Sequence, residues 1–440
     1  MTQLVLGLAV APVVIGLVIL CLREPLSVAL PAYAVTIPFG QLLAVGPSRF
    51  GSLSSILGVL LGVGLVLQRL RTREHNVRVS PTVPLWLLFL GVAGATVSWS
   101  VNPGKTEIGF LVLSSLVLIY VFVSLNDVDR VALDRTENGL LLGGVAVTCY
   151  GLFQLLVQGG FPGDAPGSPI QPDGRFGNDL LGPNNEAVAL LIPLMIVLSR
   201  AVGRPARSQR VLYTLISAFL LLGILMTGSR GGILATIVAV VALAFSISQG
   251  RRKLLAYAGV AVAVGAFVFL TQPGGLAERN VETTSSSGRT DIWQVALAAC
   301  PEYCPVGSGW ETFPDVYSAT QPSVPGAEVL VGGGGYEPHN VWILVAIELG
   351  LPGLILLFAV LSVTLAEAVK LPAQLRAPPL AGYVATLFAA FFLSNLEYKF
   401  FWMSLIYVAL SRNLAKHEAN EAHRQQLTES ADPMPAGRLP

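Results

Sequence analysis

Residues 211–248 read VLYTLISAFLLLGILMTGSRGGILATIVAVVALAFSIS, two apolar runs separated by one short polar turn. Each run holds about 17 residues, which at ~1.5 Å per helical residue is long enough to cross most of the ~30 Å hydrocarbon layer of a bilayer. The runs contain scattered glycine and lack the strict alternation of barrel strands, so they indicate membrane-spanning helices.

The composition extends this interpretation to the whole chain. Of 440 residues, 53% are hydrophobic and only 12% are charged, whereas soluble domains carry about 25% charged residues. So few charges cannot cover a soluble globule, and the sequence predicts an all-α polytopic membrane protein of about 12–13 transmembrane helices. The expected spans are 3–21, 26–45, 53–68, 84–100, 108–124, 139–157, 185–199, 211–227, 231–248, 254–271, 341–365, 379–394 and 400–411.

The first span and the last two spans of this series lead to two further expectations. The first run follows Met1-Thr2-Gln3, which has no basic n-region, so we expect a retained span rather than a cleaved signal. The last two spans flank the short segment 395–399 and indicate a helical hairpin.

The positions of lysine and arginine set the orientation, because cytoplasmic loops collect basic residues. When alternate loops are assigned to the cytoplasm, beginning with the loop that holds Arg23, only seven of the 27 basic residues fall outside. We therefore expect the active face to lie outside a cytoplasmic membrane. The seven outward residues are Arg49, Lys105, Arg175, Arg230, Arg279, Arg289 and Lys399.

This layout defines the domain organisation. Residues 1–411 form the polytopic transmembrane domain, and residues 272–338 form a large extracytoplasmic loop, with short helices, inserted into it. The segment 158–184 also faces outside. The polar tail 412–440 is expected to be cytoplasmic and disordered.

The first outward feature is Thr227-Gly228-Ser229-Arg230-Gly231-Gly232, between two spans. Gly231 and Gly232 open the second helix, where free backbone N–H groups and the positive end of the dipole favour an anion. Arg230 adds a planar fork of donors suited to phosphate. The alternative is that Arg230 simply extends toward the interface from a tight turn.

The second feature is Gly288-Arg289-Thr290-Asp291 in the large loop. Thr290 is placed to cap a helix whose apolar positions recur at helical spacing. Arg289 either binds a phosphate or pairs with Asp291 or Glu282. The apolar positions are Ile292, Val295, Ala296 and Ala299.

The third feature is His339-Asn340, which precedes an expected span. His339 is the only histidine assigned to the outside, and a helix N-terminus helps to keep its ring neutral, as a general base requires. The alternative is a hydrogen-bonding role. Glu348, nine residues further on, lies in an apolar run, where a carboxylate marks function or a paired structural contact.

The remaining outward signals are weaker. Arg175 and the Asn184-Asn185 pair precede an expected span, and either asparagine would serve as a helix cap, while Arg175 would line the same outer cavity. Cys300 and Cys304 face an oxidising side and are expected to form a disulfide. The net charge of +1 argues neither for nor against nucleic-acid binding, and we expect no nucleic-acid partner. No metal-spaced His/Cys set or Walker A loop occurs, so we expect no metal and no cofactor.

Together these segments resemble the O-antigen ligase/polymerase family of integral membrane glycosyltransferases. The resemblance covers residues 175–400, and its specificity comes from the order and spacing of short motifs. The motifs are Ser229-Arg230-Gly231-Gly232, Gly288-Arg289 with Trp293, Pro305-Val306-Gly307-Ser308-Gly309-Trp310, and His339-Asn340 followed by Glu348-Leu349-Gly350.

The resemblance implies a GT-C type fold and metal-independent transfer of a polyprenyl-diphosphate-linked glycan to a glycan or lipid acceptor. It implies that Arg230 and Arg289 hold the diphosphate and that His339 is the base or positions the acceptor. The other candidate substrate-binding residues are Arg175, Asn184, Ser229, Gly231, Asn340 and Glu348.

Two alternatives remain at the level of sequence. A polymerase would extend lipid-linked repeat units instead of transferring a finished glycan, and the motifs do not separate the two. A glycolipid flippase or other transporter would place ionisable residues near the middle of the membrane, whereas here they concentrate at the outer rim and in one loop.

Overall fold

The structure is a computed structural model. It describes residues 2–40, 43, 51–71, 79–157, 176, 182–203, 206–247, 250–256, 259, 263, 289–327 and 337–431. Within these residues the fold is all-helical and contains no β-strand, as the apolar patterning predicts.

The described ranges contain sixteen α-helices, which are numbered here in chain order. Short π- or 3₁₀-helical segments flank several of them, at Pro25–Ala29, Ile37–Phe39, Thr96–Ser98 and Gln321–Ser323. The α-helices are α1 (Thr2–Arg23), α2 (Leu30–Thr36), α3 (Leu53–Arg71), α4 (Thr82–Ala95), α5 (Pro103–Ser124), α6 (Arg130–Val157), α7 (Gly182–Ala189), α8 (Leu191–Val202), α9 (Arg207–Met226), α10 (Arg230–Ser246), α11 (Arg289–Tyr303), α12 (Phe313–Thr320), α13 (Val341–Glu348), α14 (Gly350–Val369), α15 (Ala373–Ala389) and α16 (Lys399–Ala431).

The chain is a multi-pass membrane protein, and the described residues do not cover all of the expected 12–13 spans. Among the described residues, six helical segments are long and apolar enough to cross a membrane, or seven if one bent pair forms a single span. Two further apolar helical segments, Thr82–Ser98 and Arg230–Ser246, are shorter. The expected span 254–271 lies almost entirely outside the described residues.

Helix breaks explain part of the difference. The expected spans 3–21 and 26–45 form one pair of helical segments, Ala11–Arg23 and Pro25–Phe39, bent by 117°. Pro25 lacks a backbone N–H and occupies the first position after the bend. The expected span 341–365 is divided into α13 and α14 at Leu349. Hydropathy alone therefore does not locate the breaks within and between these apolar runs.

Helix α16 is the centre of the bundle. Its residues 400–414 are all buried, as expected of a helix that is apolar on every side. It packs against α5, α6, α14 and α15, and its contact with α15 agrees with the expected hairpin. The helix continues to Ala431, so the expected disorder does not hold for residues 412–431.

The described part of the large loop forms a small core of its own. The apolar side of α11 packs with Phe313, Val316 and Tyr317 of α12 and with Leu344 and Ile347 of α13. The α11 positions expected at helical spacing are buried, and the predicted disulfide between Cys300 and Cys304 is present. This core seats the loop on the membrane domain.

Candidate functional site

Helix α10 begins at Arg230, immediately after a capped turn. The Ser229 hydroxyl accepts a hydrogen bond of 3.0 Å from the Gly232 backbone N–H and donates one of 2.8 Å to the Asn184 side-chain oxygen. The Gly232 N–H, which was expected to face an anion, is therefore occupied by the cap. Arg230 itself is exposed.

The glycines after Arg230 differ in what surrounds them. A Cβ at Gly232 would lie only 2.5 Å from the Cβ of Ala187, so α7 and α10 are in close contact there. A Cβ at Gly231 would lie 3.6 Å from the Cβ of Phe392, which is an ordinary van der Waals distance. Gly232 thus sets the packing of this helix start. Helix α7 begins at Gly182, so neither Asn184 nor Asn185 is its N-cap.

Arg289 is the first residue of α11, one position before the expected cap Thr290. Its guanidinium is half-buried and makes no ion pair with Asp291; Glu282 lies outside the described residues. One turn further on, the Trp293 indole donates a hydrogen bond of 2.7 Å to the Pro338 carbonyl. The start of α11 is thereby fixed against the residue that precedes His339.

His339 has a left-handed backbone conformation, with φ of +47°. Such a conformation costs a non-glycine residue about 1–3 kcal/mol, and surrounding contacts must hold it. On one side the Trp293 bond holds Pro338. On the other, the Asn340 side chain caps α13 by accepting from the N–H groups of Trp342 and Ile343 at 2.9 and 3.1 Å. Asn340 therefore positions the backbone beside His339.

A turn after α15 connects the two halves of the site. The Val341 N–H donates to the Ala390 carbonyl at 2.9 Å, and the Asn340 side-chain amide donates to the Phe391 carbonyl at 3.3 Å. Phe392, the next residue, faces Gly231. Arg230 and His339 therefore flank the same short turn, although 109 positions separate their numbers in the sequence.

Burial is the main influence on the pKa values of Arg289 and His339. Burial, and to a smaller extent the nearby positive charge of Arg289, lower the pKa of His339 to about 4. Burial also lowers the pKa of Arg289. Within the described part of the chain neither side chain has a hydrogen-bond partner. The Arg289 guanidinium is therefore close enough to the His339 imidazole to influence its protonation electrostatically.

The Glu348 side chain makes structural hydrogen bonds within the protein. Its buried carboxylate accepts hydrogen bonds from the backbone N–H groups of Glu311, at 3.0 Å, and Phe313, at 2.9 Å. Both oxygens thus hold the start of α12 against α13. This geometry favours the paired structural interpretation of Glu348 over substrate contact.

The last of the candidate site residues is Arg175. Arg175 lies outside the described residues, but its neighbour Phe176 is buried and donates from its N–H to the Met226 carbonyl at 3.1 Å, close to the α9–α10 turn.

Sequence reasoning missed Phe391 and Phe392, because aromatic residues beside a span carry no polar signal. The role of Trp293 was visible only through family resemblance.

The arrangement is suited to binding an anion next to the neutral imidazole of His339, which can form hydrogen bonds. Guanidinium groups bind phosphate oxygens in pairs of parallel hydrogen bonds, and an unprotonated imidazole accepts a proton. Among the described residues, no three His, Cys, Asp or Glu side chains are grouped to hold a metal ion.

Comparison with known proteins agrees with the motif order. Residues 215–358 match the family model described as O-antigen ligase. This stretch runs from α9 to α14 and includes Arg230, Arg289 and His339. No match to the chain was found among curated proteins. The chain is therefore a multi-pass membrane protein that carries an O-antigen ligase domain over residues 215–358.

Proposed function

We propose that this protein transfers a glycan from a polyprenyl-diphosphate-linked donor to an acceptor hydroxyl on the outer side of the cytoplasmic membrane. The family implies lipid-linked glycan substrates. The observation that carries the proposal is the pairing of Arg289 with a neutral His339, beside the turn that Arg230 also flanks.

In the proposed reaction the acceptor oxygen attacks the anomeric carbon of the donor sugar. The bond from that carbon to the diphosphate oxygen breaks, and the diphosphate leaves with the electron pair. The acceptor hydroxyl loses its proton as the new glycosidic bond forms. The barrier is therefore sensitive to negative charge on the leaving group and to removal of one proton.

Arg230 and Arg289 would neutralise the leaving group. Each guanidinium offers a rigid fork of N–H donors that fits phosphate oxygens, which a lysine ammonium does not reproduce. Arg289 is half-buried, and charge interactions are stronger where water is excluded. Together the two residues supply positive charge to a diphosphate without a metal ion, so EDTA is expected to leave the transfer rate unchanged.

His339 would orient the acceptor hydroxyl and accept its proton. With a pKa near 4 the ring is neutral at pH 7 but is only a weak base. A bound diphosphate would counter the charge of Arg289 and raise that pKa, which makes the ring a better base when the donor is present. Donor binding and proton acceptance would thus be coupled.

The test is glycan transfer by the purified protein in lipid nanodiscs, with a polyprenyl-diphosphate-linked oligosaccharide and an acceptor. Arg230→Ala, Arg289→Ala and His339→Ala are each expected to lower the rate by about 10²–10³-fold. Two exposed positions outside the site, Arg207→Ala and His423→Ala, serve as controls. Full transfer by the three site variants, at normal membrane insertion, would refute the proposal.

The length of the product distinguishes a ligase from a polymerase. A ligase moves the glycan once, so the product keeps the length of the donor glycan. A polymerase yields a ladder of repeat units. We expect a single transferred length with a one-unit donor, and a ladder would reassign the protein as a polymerase.

A further inference from the structure

A surface groove with a volume of about 600 Å³ lies between α3 and α5, and it shares no residue with the site described above. Its walls are apolar over most of their length, and its polar residues include Lys399 and two serines. The residues that form the walls include Ile56, Val59, Val63, Val66, Leu118 and Phe122.

The groove opens toward the bilayer. Both helices that form it are among the candidate membrane spans. Val59 and Val63 are 66% and 47% exposed, and Leu118 is 39% exposed. Since apolar side chains of a spanning helix face lipid tails, an occupant would enter laterally from the membrane.

The polar end of the groove is a cluster around one ammonium group. Lys399 donates to the hydroxyls of Ser52, Ser54 and Ser55 at 3.2, 2.5 and 3.1 Å. Among the described residues Lys399 makes no ion pair with a carboxylate. The Ser52 hydroxyl also hydrogen-bonds those of Ser54 and Ser55, at 3.0 and 2.8 Å. The cluster therefore combines one positive charge with a small network of hydroxyls, which can rotate to donate to an anion.

The position of Lys399 strengthens the argument for an anion. It is the first residue of α16, a helix of 33 residues. A helix N-terminus carries partial positive charge and disfavours a cation by about 0.3–1 kcal/mol. A negative group at this point would interact favourably with both the ammonium and the helix end.

The length of the groove indicates the size of the occupant. Its wall runs along α3 from Ser54 to Leu67, which corresponds to about 20 Å at ~1.5 Å per residue. One leaflet contributes about half of the ~30 Å hydrocarbon layer. The apolar part of this wall, which begins at Ile56, is therefore long enough to hold an acyl chain that stays within one leaflet.

We propose that this groove binds an anionic phospholipid, with one acyl chain along α3 and the phosphate at Lys399 and its three serines. A single ammonium is a point charge suited to a singly charged phosphodiester, whereas a diphosphate is better matched by arginine forks. The site is separate from the proposed transfer reaction and does not depend on it.

The test is native mass spectrometry of the purified full-length protein titrated with phosphatidylglycerol. Lys399→Met removes the charge, and Lys253→Met removes an ammonium from an exposed position elsewhere. Gly62→Leu fills the groove, because a Cβ there would meet no atom within 4 Å. Gly91→Leu on α4 has the same open surroundings and lies outside the groove.

We expect wild-type protein and both controls to retain phosphatidylglycerol, and Lys399→Met and Gly62→Leu each to weaken binding by about tenfold. Phosphatidylcholine is expected to bind less tightly, because its choline would lie near the ammonium. Equal binding by Lys399→Met and Lys253→Met would overturn the proposal. So would displacement of phosphatidylglycerol from this groove by equimolar polyprenyl diphosphate, which would assign the groove to the glycan donor.

Discussion

The indole of Trp293 donates a hydrogen bond of 2.7 Å to the carbonyl of Pro338, the residue before His339. Trp293 follows Arg289 by four positions on α11, so both side chains project from the same face of that helix. This hydrogen bond therefore ties the first turn of α11, which carries Arg289, to the residue next to His339.

Removing this bond should disturb the site more than the fold. In Trp293→Phe the ring remains but the N–H donor is lost, and we expect kcat/KM for glycan transfer to fall about tenfold. Trp99→Phe removes a comparable bond of 3.1 Å to the Gly307 carbonyl, away from His339, and is expected to have a smaller effect. Equal losses in the two variants would argue against a positioning role for Trp293.

Glu348 should contribute to stability through the loop. Glu348→Gln keeps the size of the side chain but turns an amide NH2 donor toward one of the two backbone N–H groups, and we expect a loss of about 1–3 kcal/mol in loop docking. Hydrogen exchange across residues 289–327 should become faster. Glu302→Gln, at an exposed position on the same loop, should leave exchange unchanged. Normal exchange in Glu348→Gln would contradict the docking role.

The segment around Glu348 also shows what the sequence could not provide. Hydropathy predicts one helix across 341–365, yet Gly350 has φ of +68° and the chain breaks there. The break allows the Leu351 N–H to reach the Cys304 carbonyl at 2.7 Å. This contact leaves no local pattern, because its two residues are 47 positions apart in sequence.

Two adjacent glycines offer a matched test of the α10 start. Gly232→Ala would bring two Cβ atoms to 2.5 Å and push α10 away from α7, so we expect lower thermal stability and at least tenfold lower transfer. Gly231→Ala meets only ordinary contacts and should change stability by about 0.5–1 kcal/mol in the favourable direction. Thermal unfolding in detergent measures both. The interpretation fails if the two variants behave alike.

Some residues of the candidate site could be identified from the sequence, and others could not. Arg230, Arg289 and His339 could be singled out because basic residues are scarce on the segments that the charge pattern assigns to the outside. The caps formed by Ser229 and Asn340 follow from residue type and position. The turn at Phe391 and Phe392 was not predictable, since only the tertiary packing of α10, α13 and α15 brings it to the site.

The pH dependence should report the environment of His339. Because burial and Arg289 lower its pKa to about 4, the ring is neutral above that value and becomes protonated as the pH falls through it. We expect kcat/KM to stay level from neutral pH down to about pH 5 and to fall near pH 4. In Arg289→Ala one lowering influence is gone, so the midpoint should move to higher pH. A wild-type midpoint near the ordinary value of 6.5 would contradict this assignment.

The most direct test of the central claim is the affinity of the purified protein for polyprenyl diphosphate compared with polyprenyl monophosphate. The wild-type protein is expected to prefer the diphosphate, and Arg230→Ala and Arg289→Ala should each weaken diphosphate binding about 10- to 100-fold while Arg207→Ala does not. Equal affinity for the two lipids, or diphosphate binding that neither site variant weakens, would contradict the account.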